Sequence, residues 1–235
     1  YWGSDAEVVF SSGTVVVTPR KPVTIKLTIT PASGPDQGQY GGYIIFTGDD
    51  GSVLRVPYAG FVGDYQSITA LTPTDYGFPW LAILYGGSFY GPVTGPDDWV
   101  YTMEGEDVPY FLVHFEHQVR TIQFLVYNAE TGKPVVGKPV TKPGDRTKPV
   151  NPAFNTAIYE EFVPRNSTTT SFYAFGWDGT LIHKNGYHGQ TSDFFRPVPD
   201  GNYFIVIKAL KALGDPKNPA DYEPWTSPVI AIDRP

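Results

Sequence analysis

The chain has 235 residues, with 25 Gly, 23 Pro, no Cys and a formal net charge of −7. Gly and Pro make up about a fifth of it, against about 12% in average proteins, which excludes long helices and favours short strands joined by turns. The missing thiols exclude disulfides, thiolate metal sites and cysteine nucleophiles, the acidic balance argues against nucleic acid as a partner, and no apolar run is long enough for a membrane span.

Taken in chain order, Tyr1-Trp2-Gly3-Ser4 lacks both an initiator Met and a charged leader, so it reads as a processed or excised end. Residues 14–18 and 25–30 read as two strands around Pro19-Arg20-Lys21-Pro22, since Ile25, Leu27 and Ile29 alternate with Lys26, Thr28 and Thr30. Tyr43-Ile44-Ile45-Phe46 and Val53-Leu54-Arg55-Val56 flank Asp49-Asp50-Gly51, a strong hairpin signal. Residues 66–104 crowd aromatics among turn formers and show no clear period. Beyond Asp107, residues 110–115 and 120–127 read as strands, followed by a turn at Glu130-Thr131-Gly132-Lys133. Lys-Pro recurs at Lys133, Lys138, Lys142 and Lys148, where each proline removes a ladder donor and each lysine discourages pairing. That pattern predicts an extended surface loop or a protected edge. Residues 172–175 and 203–207 read as core strands and 227–232 as a closing strand; Lys208 to Gly214 reads as a helical turn or as the end of a strand. The expected architecture is all-β: two tandem immunoglobulin-like or fibronectin type III-like sandwiches, residues 1–105 and 106–235.

Two sets of motifs carry a family resemblance. Tyr40-Gly41-Gly42-Tyr43-Ile44 precedes Val56-Pro57-Tyr58-Ala59-Gly60-Phe61-Val62-Gly63-Asp64, and Thr72-Pro73-Thr74-Asp75-Tyr76-Gly77-Phe78-Pro79 follows. Phe175-Gly176-Trp177-Asp178-Gly179 and Val198-Pro199-Asp200-Gly201-Asn202-Tyr203 occupy the second half. In order and spacing these resemble the fibronectin-like domains that follow the catalytic domain in large subtilisin-like serine proteases, the fungal ones in particular. The resemblance implies a secreted, non-catalytic accessory region, with a protease catalytic domain as its partner in cis. Gly60 and Gly63 read as turn positions, and Trp177 and Tyr203 as core bulk.

Candidate chemistry is sparse. The subtilase Gly-Thr-Ser-Met-Ala motif does not occur, and His188-Gly189-Gln190-Thr191 and Ser12-Gly13-Thr14 are only echoes of the other triad motifs, so no catalytic residue is expected. His114 and His117 are three apart on a strand and face opposite sides, which disfavours zinc even with Glu116 on the side of His114. Asp49-Asp50 and Asp97-Asp98 read as solvated turns rather than calcium ligands, so neither metal nor cofactor is expected. Asn166-Ser167-Thr168 is the one Asn-x-Ser/Thr sequon, a glycosylation candidate under a secreted reading. Trp80, Tyr85, Phe89, Tyr90, Trp99 and Tyr101 read as an interface, between the two domains or toward a protease domain. The competing expectation is an independent secreted binding protein, lectin-like or immunomodulatory, whose aromatic faces stack on glycans.

Overall fold

The computed structural model describes residues 6–30, 34–91, 99–136, 155–181 and 197–235. Among them the regular structure is strand, apart from two three-residue 3-10 turns at Tyr65–Ser67 and Pro219–Asp221. No helix among them is long and apolar enough to cross a membrane. The chain divides into two compact units, Tyr1–Ile68 and Thr69–Pro235.

Unit 1 holds two antiparallel ribbons. In the first, β1 (Glu7–Phe10) pairs with β2 (Leu27–Thr30). In the second, β3 (Gln39–Thr47) pairs with β4 (Val53–Phe61) around the Asp-Gly turn, with Gly51 at φ 79°. Asp50 fixes that turn by accepting the Ser52 N–H at 2.9 Å, and hydrogen bonding to Ser52 lowers its carboxyl pKa. Beyond β4, Gly63 turns at φ 104° and Asp64 caps the 3-10 turn by accepting the Gln66 N–H at 2.9 Å. The expected strand at 14–18 is not one, since only an isolated bridge joins Thr18 to Lys21.

Unit 2 is a β-sandwich. Its four-stranded sheet runs β11 (Tyr173–Gly176), β8 (Tyr110–Val113), β5 (Trp80–Tyr85), β6 (Ser88–Tyr90). The larger sheet runs β10 (Thr156–Val163), β9 (Val119–Asn128), β12 (Gly201–Lys211), β14 (Ile230–Ile232), β7 (Val100–Tyr101). A further strand, β13 (Tyr222–Thr226), shares the β14 side of β12. Ser227-Pro228 separates β13 from β14. Proline has no N–H for a ladder, and there the Ser227 hydroxyl accepts the Ile205 N–H at 2.9 Å. The two sheets meet through Phe111, Phe124 and Phe175, with ring centroids 5.4 Å apart for Phe111–Phe124 and 4.9 Å for Phe124–Phe175. Trp177, Leu181, Ile205, Ile207 and Ile230 complete the core.

The boundary expected near residue 105 does not separate the compact units. Leu81 and Ala82 pair with Phe111 and Tyr110, and β7 pairs parallel with β14, so residues 80–101 belong to the sandwich that follows them. Lys133-Pro134 folds back on β9, with Pro134 bridging Tyr127 and the Val135 N–H donating to Val126 O at 3.0 Å. The other Lys-Pro repeats, Asp97-Asp98 and His188 lie outside the described residues. Residues 208–211, for which a helical turn was one reading, continue β12.

A carboxylate fixes the start of unit 2. Glu223 of β13 accepts the Ala70 N–H at 3.0 Å and the Leu71 N–H at 2.6 Å, with Lys211 Nζ 3.5 Å from its other oxygen. Hydrogen bonds to a charged acceptor are worth about 1.5–3 kcal/mol, because losing the acceptor strands desolvated N–H groups. Glu223→Ala should therefore lower unfolding free energy by about 2–3 kcal/mol in urea titrations, with Glu223→Gln losing less. Parent-like midpoints for both variants would mean that the clamp contributes nothing.

Candidate functional site

Alternation along β8 sets two different faces. Phe111, Val113 and, just past the strand, Phe115 enter the core between the sheets. Tyr110 and Leu112 therefore project to the opposite face of the four-stranded sheet. There they join Phe78, Trp80, Ala82 and Phe89 in a separate apolar cluster. Phe78 is its centre, with ring centroids 4.9 Å from Trp80 and 5.7 Å from Phe172; Phe89 meets Tyr110 edge-on at 5.2 Å. The Trp80 indole is held by donation to Tyr76 O at 2.8 Å. Tyr76 and Phe172 form an exposed rim.

The six aromatics expected to act together divide three ways. Trp99 and Tyr101 are buried between the sheets, and burial raises the Tyr101 hydroxyl pKa well above the ordinary tyrosine range, with a smaller contribution from Asp107. Trp80 and Phe89 belong to the outer cluster. Tyr85 and Tyr90 flank the Gly86-Gly87 hairpin turn on its solvent side, 76% and 51% exposed. Phe172 and Tyr110 complete the outer cluster and were not singled out in the sequence; alternation from the core position Phe111 is the signal that finds Tyr110.

His114 is buried and stacks on Phe78, with centroids 6.3 Å apart. Its Nδ1 lies 2.7 Å from Ser171 O, and a carbonyl can only accept, so Nδ1 carries the proton. Nε2 lies 3.5 Å from a Glu116 carboxylate oxygen. No group of three or more metal-ligating side chains occurs among the described residues. Asn166 is half-buried and pairs with Phe115 like a strand residue: its N–H donates to Phe115 O at 2.8 Å, and its Oδ1 accepts the Phe115 N–H at 2.7 Å.

The two Asp-Gly motifs of the second half form one clasp. Trp177 is buried and donates Nε1–H to Thr180 O at 2.6 Å, while Asp178 accepts the Thr180 hydroxyl at 2.7 Å. The Val198 N–H donates to Gly179 O at 2.8 Å, joining this turn to the Pro-Asp-Gly turn. Tyr203 packs edge-on against Trp177 and donates its hydroxyl to Pro199 O at 2.6 Å. Arg234 reaches Val198 O at 2.9 Å and Asp200 at 2.6 Å. Together these contacts lock the two turns to each other. Phe162 is another feature the sequence did not flag. It sits on edge strand β10, 77% exposed and at φ 55°, a backbone state that costs a β-sheet aromatic about 1 kcal/mol or more.

No family model matches the chain. Over 237 residues it is 22% identical to a PI-type proteinase of Lactococcus lactis subsp. cremoris, covering 92% of this chain and 12% of that protein. Over 242 residues it is 22% identical to a PII-type proteinase of the same organism, with the same two shares. The chain thus spans about an eighth of the length of the proteinases it matches.

Burial raises the pKa of the Tyr203 hydroxyl above its ordinary 10.0. An acid whose pKa is raised on folding contributes its stability in full below pH 10, and that contribution is lost as pH rises through the folded value. Tyr203→Phe should cost about 1 kcal/mol at pH 7 from the lost hydrogen bond and should flatten the decline above pH 10. Urea midpoints collected across that range test both parts; an unchanged alkaline limb would assign the decline to other tyrosines.

Proposed function

We propose that this chain is a non-catalytic accessory region of a secreted subtilisin-like serine protease, and that its unit 2 sandwich spaces the catalytic domain and offers protein substrates a surface. The observation that carries this reading is a match spread over 92% of the chain yet confined to 12% of two proteinases, in a sequence without the subtilase nucleophile motif. The outer aromatic cluster around Phe78 supports it. Tyr76 and Phe172 give that surface π-faces for apolar or extended peptide. The purified chain should cleave no peptide bond and take up no serine-directed fluorophosphonate. Stoichiometric labelling of any Ser would end this reading, and so would a transcript that encodes no protease domain.

Secretion through a eukaryotic route would make Asn166 a glycan acceptor. A sugar on Nδ2 leaves Oδ1 free to keep the Phe115 N–H, so fold and modification are compatible. Intact mass should then fall on endoglycosidase treatment of native material.

The independent, lectin-like reading has one feature in its favour. Tyr85-Gly86-Gly87-Ser88-Phe89-Tyr90-Gly91 carries no charge and holds two exposed tyrosines, which suits a neutral polyhydroxyl ligand. Under it, the Tyr85→Ala/Tyr90→Ala double variant melts like the parent and loses a glycan-array signal. Under the accessory reading the parent gives no such signal.

A further inference from the structure

Unit 2 closes on itself, and unit 1 does not. Among the described residues, Ile44 is the single hydrophobic residue buried in unit 1. The β3–β4 ribbon has a definite inner face, because Ile44 and Phe46 stand opposite Val56 and Leu54. One half of that face is finished: the Tyr40 ring covers Gly60 directly across the ladder, and the Tyr58 ring covers Gly42. The other half is open, with Leu54 63% and Val56 41% exposed. A two-stranded ribbon is marginal in water unless further strands or a packed face support it.

The ribbon's two edges are also unlike. Pro57 sits in the middle of β4, opposite Tyr43. It has no N–H, and strand prolines occupy positions whose missing donor faces away from the partner strand, so β4 is a finished outer edge. β3 has neither proline nor charge along Gln39–Thr47, the features that normally blunt an edge. Antiparallel alternation gives the even positions of β3 to the β4 ladder, in phase with the Gly48 N–H donating to Ser52 O at 2.8 Å. Gly41, Tyr43 and Ile45 therefore aim their N–H groups away from β4, along an edge that pairs with no other strand among the described residues.

We propose that unit 1 is part of a β-sandwich whose remaining strands lie in polypeptide outside these 235 residues, one of them pairing along the free edge of β3 and others covering the Leu54–Val56 face. The occupant is apolar-alternating β-strand from the same longer chain, since the matched region is 12% of each proteinase and the rest of their length lies beyond it. This rests on the accessory-region reading. A second copy of this chain would be a poorer occupant, because each copy carries a net charge of −7 and two such chains repel.

Amide exchange resolved to single residues tests it, comparing the 235-residue chain with the longer polypeptide its transcript encodes. Tyr43 and Ile45 should exchange rapidly in the 235-residue chain and at least about a hundredfold more slowly in the longer protein, while Ile44 and Phe46 change far less. Equal exchange of Tyr43 and Ile45 in both would overturn the inference and leave the accessory reading standing. Protection in the 235-residue chain that grows with concentration, alongside a dimer by light scattering, would overturn it in favour of a second copy. A transcript encoding no additional strands would remove the accessory reading and this inference together. As an independent arm, Leu54→Asp should leave the melting of the 235-residue chain unchanged and lower that of the longer protein by several degrees; equal effects in the two would also overturn the proposal.

Discussion

The sandwich depends on the register between β9 and β12. Ile122, Phe124 and Val126 stand directly opposite Ala209, Ile207 and Ile205, so buried residues meet buried residues along the ladder. A slip of one residue would turn that whole set to the other side of the sheet, which is why such a pairing is strongly specified. The neighbouring strands take their places from it: β10 on one side, β13 and β14 in succession on the other, and the smaller sheet where Phe111 and Phe175 pack on Phe124. Aromatic side chains of this size each remove about 150–250 Å² from water, so a few positions carry much of the driving force.

The same register generates the outer aromatic face. Once Phe111 and Val113 are drawn inward, the pleat turns Tyr110 and Leu112 outward, and the sheet acquires an apolar second face that must be covered or used. Phe78, Trp80 and Phe89 cover its middle, and Tyr76 and Phe172 leave a rim in solvent. Core and surface are thus coupled through one strand. Changes at Phe111 or Val113 act on the outer cluster as well as on the core.

Where alternation or turn chemistry was clear, the sequence was legible. β9, β12 and the β3–β4 hairpin follow from period-2 patterning and an Asp-Gly turn. β5 was not, because Trp-Leu-Ala-Ile-Leu-Tyr is apolar on both faces and both faces are in fact packed. β10 was missed since its edge position tolerates Tyr159-Glu160-Glu161, and β13 since Pro224 interrupts its pattern. The boundary expected near residue 105 falls inside unit 2, because β7 finds its partner in β14 at the far end of the chain, a pairing no local signal announces. Of the candidate site, the Trp177–Tyr203 clasp was legible as core bulk between turns, while the aromatic group was read as one surface although its members belong to three.

Glycine shows a related limit of local patterning. Gly60, a turn position by its sequence, lies within β4 under the Tyr40 ring, as Gly42 lies under Tyr58 and Gly176 under Tyr110. In each case the tyrosine is the direct cross-strand neighbour, and a Cβ would meet its ring at 2.9 Å on Gly42 and at 2.8 Å on Gly176. Glycine in a strand costs entropy and offers nothing to pack, so leaving it there requires compensation. The ring supplies it by lying flat across the ladder and shielding the bare backbone from water. Tyrosine does this better than phenylalanine at a half-exposed position, since its hydroxyl stays hydrated while the ring is buried. The same Gly–Tyr device closes part of the open ribbon in unit 1 and part of the four-stranded sheet in unit 2. A glycine directly opposite a tyrosine in two paired runs is therefore better read as covered strand than as a turn.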